Sequence, residues 1–254
     1  MKETNIFVKK LLKNKNKILT ILQIKEIYYN LYWESQDTKI YKQIYQLKNK
    51  WYLLSLKKDL FYVKKMDEDL LVDDIIENNY WKYLKKYLKD QFWVYYFIWW
   101  LKSLEIWNNN FSTSDKLRIV NPYKRSNEVL FKNKNLFLVN YSIKWFDNEK
   151  SFKFFKKQTK KLYVDWKLFN VANYELSLLE SLYSMPFEDE KYIIELVKKN
   201  IRKNWKKIDL QVFEYFLKYW KYGSSIKKIY ELSLWIRPDF AEKIKNILKK
   251  WYWL

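Results

Sequence analysis

The chain has neither cysteine nor histidine. Without cysteine there is no disulfide framework, no thiolate metal site and no thiol nucleophile. Without histidine the commonest general base and the commonest metal ligand are both missing. Any catalysis would have to rest on carboxylates, Lys, Tyr or Ser. The single glycine, Gly223, rules out a Gly-rich phosphate loop. Long apolar runs are also missing: the longest, Phe92 to Leu101, covers 10 residues, whereas a membrane span needs about 20. Lysines interrupt the first turns throughout, so no secretory signal is visible. These absences predict a cytoplasmic protein that is not an enzyme, uses no cofactor or metal, and does not enter a membrane.

What the chain has in excess is positive charge. Among its 254 residues are 50 Lys+Arg and 29 Asp+Glu, a net charge of +21. A surplus of that size favours a polyanionic partner, nucleic acid first. The charge is unevenly placed. Residues 1–66 carry 15 lysines and 5 acids, whereas residues 67–77 hold 6 acids and no base. The change of sign at Asp67 predicts a boundary between an N-terminal domain, 1–66, and a second domain, 67–254.

Glycine and tryptophan are out of proportion. Average usage would give about 18 glycines in a chain of this length, yet there is 1, beside 14 tryptophans. Several tryptophans stand where glycine belongs. Trp51 follows Lys48-Asn49-Lys50 at a helix end, and Trp235 precedes Arg237-Pro238 at another. Trp107 precedes a run of three asparagines. Trp166 follows Asp165 between two strand-like runs, where Asp-Gly would make a hairpin turn. The pattern is the one expected if UGA codons that mean glycine are written as tryptophan.

The N-terminal domain reads as three helices and a hairpin. Residues 4–14 and 18–29 have helical apolar spacing. Asp37 is a candidate N-cap for a third helix from Thr38 to about Asn49, with Ile40, Ile44 and Leu47 inward at i, i+4 and i+7. Its other face carries Thr38, Lys39, Tyr41, Lys42, Gln43 and Gln46. Two β-like runs, 52–56 and 60–63, flank Lys57-Lys58-Asp59 and make a hairpin with a basic tip. Three helices followed by such a hairpin describe a winged helix-turn-helix. In that arrangement the third helix enters the major groove, where Gln pairs with adenine and Lys with guanine. Lys57 and Lys58 would touch phosphate.

The second domain reads as mixed α+β. Helices are expected at 70–88 and 94–106, strands within about 116–171 (117–120, 136–143, 152–155, 162–164 and 168–171), and helices within about 173–250, the first capped by Asn173. The aromatic stripe Phe92, Tyr95, Tyr96 and Phe97 could stack on bases but fits a core better. Asp165, Glu175 and Glu180 could be posed as a metal-binding carboxylate cluster. With no histidine beside them they read as structural.

Several segments carry a family likeness. They are Leu47 to Leu56 with Asp59 to Val63, Ile98 to Trp107, Val164 to Leu182 followed by Met185-Pro186, and Tyr230 to Trp235. In order and spacing these resemble the AbiE antitoxin family, the AbiEi-like transcriptional regulators of type IV toxin–antitoxin systems. Ala172, Glu175, Leu178, Leu179, Glu180 and Pro186 fall on the family's pattern, while Leu176 stands where the family has arginine. The resemblance implies an autorepressor that binds an inverted repeat in double-stranded operator DNA and counteracts a nucleotidyltransferase-like toxin. Charge alone suits an RNA-binding or ribosome-associated protein equally well. A carboxylate-metal nuclease in residues 92–186 is the third reading.

Overall fold

A computed structural model describes residues 2–15, 17–33, 37–64, 71–141, 146–219 and 221–251. The charge switch at Asp67 lies outside the described residues. By internal contacts the chain divides into two units. The first is residues 1–80 with 129–134, and the second is 81–128 with 135–254.

Unit 1 begins α1 (Lys2–Leu12), β1 (Ile18–Thr20), α2 (Ile21–Tyr32), α3 (Asp37–Asn49), β2 (Leu53–Lys57) and β3 (Leu60–Val63). The run from Ile18, expected to be helical throughout, is a strand for its first three residues. The helix starts only after Thr20, whose hydroxyl accepts from the Gln23 N–H while Gln23 Oε1 accepts from the Thr20 N–H at 2.9 Å. This reciprocal cap fixes the start of α2 and frees Ile18–Thr20 to pair with β3. The sheet has the order β1-β3-β2 and is antiparallel, with Leu19 opposite Phe61 and Leu54 opposite Tyr62. Ile40, Ile44 and Leu47 are buried as their spacing predicts. They join Phe7, Leu11, Ile24, Leu53 and Val63 in one core.

The long helix α4 (Val72–Phe92) follows, running from residues of unit 1 into unit 2. The rest of the chain is β4 (Phe97–Ile98), α5 (Leu101–Trp107), β5 (Lys116–Val120), β6 (Ser126–Phe131), β7 (Lys134–Val139), α6 (Asn148–Lys156), β8 (Thr159–Val164), β9 (Lys167–Ala172), α7 (Tyr174–Tyr183), α8 (Glu190–Asn204), α9 (Leu210–Leu217), α10 (Gly223–Ile236) and α11 (Pro238–Trp251). The larger sheet is mixed, in the order β6-β7-β5-β4-β9-β8. β5 runs parallel to β7 and β4 parallel to β9, while the β4–β5 and β8–β9 pairs are antiparallel. The α+β class expected from sequence is therefore observed.

Four details differ from expectation. The predicted helix at 94–106 is a short strand and a shorter helix, because Trp100 takes φ 61° and ψ −154° and breaks the run. The predicted strand at 152–155 lies in α6. There Asp147 caps the helix by accepting from the Lys150 N–H, and Phe152 and Phe155 meet the core one turn apart. Strand β6 was not anticipated, and β7 ends at Val139; residues 142 and 143 of the strand expected there lie outside the described residues.

Helix α7 is the centre of unit 2. Asn173 caps it as predicted, its side chain accepting from the Leu176 N–H at 2.8 Å. Every residue from Glu175 to Leu182 is buried. Its serines satisfy themselves on nearby backbone carbonyls: Ser177 Oγ donates to Ala172 O at 3.1 Å and Ser181 Oγ to Ser177 O at 2.7 Å.

Among the described residues nine non-glycine residues have positive φ, and five of them are tryptophans: Trp33, Trp51, Trp93, Trp100 and Trp166. Trp51 and Trp166 were expected at glycine positions. Trp107 and Trp235 were too, but neither has positive φ. After α5 the left-handed turn falls instead on Asn109, at φ 59°. Trp107 donates its indole N–H to the carbonyl of Ala172 at 2.9 Å.

Candidate nucleic-acid interface

The site builds from the amphipathic pattern of α3. Once Ile40, Ile44 and Leu47 are committed to the core, the remaining positions must face outward. Thr38, Lys39, Tyr41, Lys42 and Gln46 are all exposed, as the spacing predicts. Gln43 is only half-buried, and its Oε1 sits in the interior without a hydrogen-bond partner. It therefore cannot offer its whole amide to a ligand.

Tyr45 was missed by sequence reasoning. It is 65% exposed, one turn beyond Tyr41 and Lys42. The signal was available, since i+3 and i+4 from two outward residues is outward too.

The start of α3 is pinned to α2. Lys25 Nζ lies 2.8 Å from the Asp37 carboxylate and 5.4 Å from the centre of the Tyr41 ring. Hydrogen bonding to Asp37 raises the Lys25 ammonium above its ordinary value. Both partners are solvated, so the pair contributes little to stability. It does orient Asp37 and Tyr41, and it sets one more cation beside the exposed face.

The β2–β3 turn is tight. Lys58 and Asp59 form it, with Asp59 at φ 60° and a register shift between Ser55 and Lys57. Lys58 is exposed at the tip. Lys57 ends β2, half-buried, and donates Nζ to the carbonyl of Val129 at 2.9 Å. The predicted basic tip is thus divided: Lys58 faces solvent, and Lys57 is committed in part to the protein backbone.

The aromatic stripe of the second unit is core in the main. Phe92, Tyr96 and Phe97 are buried, and Tyr95 is exposed. The three carboxylates posed as a metal site have separate structural settings. Asp165 sits in the β8–β9 turn, Glu175 accepts from the Asp209 N–H at 2.9 Å, and Glu180 is wholly enclosed. Among the described residues no group of three carboxylates could hold a metal ion, and no helix is long and apolar enough to cross a membrane.

No protein-family model matches this chain, and no curated protein is similar to it.

Proposed function

We propose that the chain is a sequence-specific DNA-binding regulator whose first unit is a winged helix-turn-helix. The observation that carries this reading is the outward face of α3, where Thr38, Lys39, Tyr41, Lys42, Tyr45 and Gln46 project beside a three-stranded antiparallel sheet. Such a face supplies donors, acceptors and aromatic surface at the spacing of base-pair edges. Lys58 at the β2–β3 turn supplies a phosphate contact. The net charge of +21 provides the sequence-independent attraction that brings DNA to the site.

The resemblance to the AbiE antitoxins adds the purpose. The regulator represses its own operon through an inverted repeat, and in the cytoplasm the second unit counteracts a nucleotidyltransferase-like toxin encoded beside it. The direct test is fluorescence anisotropy of the full chain on the duplex upstream of its gene, against a scrambled duplex of equal length. A specific site binds at least ~10³-fold more tightly. Equal affinity for the two duplexes, together with tight binding to structured RNA, would replace this reading with an RNA-binding one.

A further inference from the structure

In unit 2 three lysines converge on one short segment. Lys85 comes from α4, Lys156 from the end of α6 and Lys161 from β8. Lys85 Nζ donates to the Tyr96 hydroxyl at 3.1 Å and lies 5.4 Å from the centre of the Phe169 ring. Lys156 Nζ donates to the carbonyls of Val94 at 2.8 Å and Tyr96 at 3.2 Å. Lys161 pairs in register with Asn170, whose side-chain amide donates to the same Val94 carbonyl at 3.2 Å. Among the described residues no carboxylate pairs with any of the three.

We propose that Lys85, Lys156 and Lys161, gathered around Tyr96 and Asn170, bind a phosphate group. Lys161 repels both Lys85 and Lys156 with no acid paired to any of them, and a bound anion relieves that repulsion. Burial first, then the charge of Lys161, holds Lys85 below its ordinary value and brings Lys156 down to about 8. Compact ammonium groups suit a multiply charged oxyanion as point charges, without the planar fork that arginine would impose. The phosphate can belong to a nucleic-acid strand or to a small phosphorylated ligand. The site does not depend on α3 reading DNA.

The test uses the full chain at low salt with two probes, a labelled duplex of scrambled sequence and inorganic phosphate. The double variant Lys85→Gln/Lys161→Gln leaves the backbone-anchored Lys156 in place. Its dissociation constant for at least one probe should rise about tenfold, and for the duplex the salt slope should fall by about one to two units. Loss confined to the duplex identifies a strand backbone, and loss confined to inorganic phosphate identifies a small ligand. If the double variant misfolds, Lys161→Gln alone, at an exposed strand position, gives the answer. Unchanged binding of both probes by a folded variant overturns the proposal.

Trp33, Trp51 and Trp93 occupy the left-handed position just after α2, α3 and α4, each donating its N–H back to the last turn. Trp51 and Tyr52 together close the 5→2 and 6→1 pair of bonds that glycine normally permits, to Lys48 O and Leu47 O at 3.0 Å each. Asp165 and Trp166 are both left-handed in the two-residue β8–β9 turn, a geometry that selects Asp-Gly. Trp100, at φ 61° and ψ −154°, lies in a region that is essentially glycine-only. Four of the five, all but Trp100, are largely exposed. Trp81 contrasts with them: it is buried, donates Nε1 to Phe111 O at 2.7 Å and packs edge-on against Phe169.

We infer that glycine is the residue this fold requires at Trp33, Trp51, Trp93, Trp100 and Trp166, and that tryptophan is native at Trp81. The codons decide the matter: UGA at the five and UGG at Trp81 is the expected result, and UGG at all six overturns it. A variant with glycine at the four exposed positions, Trp33, Trp51, Trp93 and Trp166, should melt higher by about 2–4 °C per site, and a lower melting temperature would contradict the inference.

Discussion

The two units differ in where they keep their polar groups. Among the described residues, every fully buried polar or charged residue belongs to unit 2: Lys102, Glu175, Glu180, Asn200 and a set of serines and asparagines. Unit 1 has a core of hydrophobic residues, apart from the Gln43 Oε1 that sits in the interior, and carries most of its chemistry on the surface. A core of that kind tolerates almost any outward residue, so the exposed face of α3 is free to specialise in recognition. Unit 2 depends on internal hydrogen bonding for a unique packing, and most of its buried groups are satisfied. The exceptions among the described residues are Glu180, Trp100, Asn140, Ser225 and Trp251, each with a buried polar side-chain atom that makes no hydrogen bond, and Glu180 is the ionisable one.

That contrast can be broken by mutation. The largest expected effect is Leu47→Ala. Removing a wholly buried side chain from the hydrophobic core should cost about 2–5 kcal/mol, read as a shift in the denaturant midpoint. A cost near zero would mean that α3 is not packed as described.

Glu180 gives the next largest effect, with the opposite sign. Burial pushes its carboxyl well above the ordinary value. A raised folded-state value means that the protein is relatively most stable below the unfolded carboxylate range, and that stability is lost as pH rises through the folded value. Glu180→Gln should therefore match the parent near pH 4 and melt higher near pH 8. Identical pH profiles would show that Glu180 finds a partner.

The smallest effect belongs to the surface of unit 1. Lys58→Ala should reduce the salt slope of DNA binding by about one unit, and Lys57→Ala by less, because Lys57 already donates to Val129. Equal slopes would mean that the turn lies outside the footprint.

How far each region was legible in sequence follows the same division. In unit 1 the i, i+4, i+7 pattern of Ile40, Ile44 and Leu47 gave α3 and its outward face, because a hydrophobic interior translates directly into periodicity. Strand β1 was hidden in an apolar run that continued into α2, although the Thr20–Gln23 cap marked the join. In unit 2 local signals misled. Phe152, Phe154 and Phe155 read as a strand, while the capping Asp147 and the one-turn spacing of Phe152 and Phe155 made a helix. The break at Trp100 was illegible because a residue of that kind carries no turn signal. The lysine cluster was out of reach altogether, since Lys85 in α4 lies some seventy residues before Lys156 and Lys161, and only the fold brings it to them.

The proposed role of α3 in reading DNA is tested most directly by the affinity of Lys42→Ala/Gln46→Ala for the duplex upstream of the gene, set against its affinity for a scrambled duplex. Both side chains are exposed, so the variant should fold like the parent. The account predicts that specific binding weakens by at least about tenfold, since each lost base contact is worth roughly 1–3 kcal/mol, while binding to the scrambled duplex changes far less. An unchanged preference for the upstream duplex would contradict it.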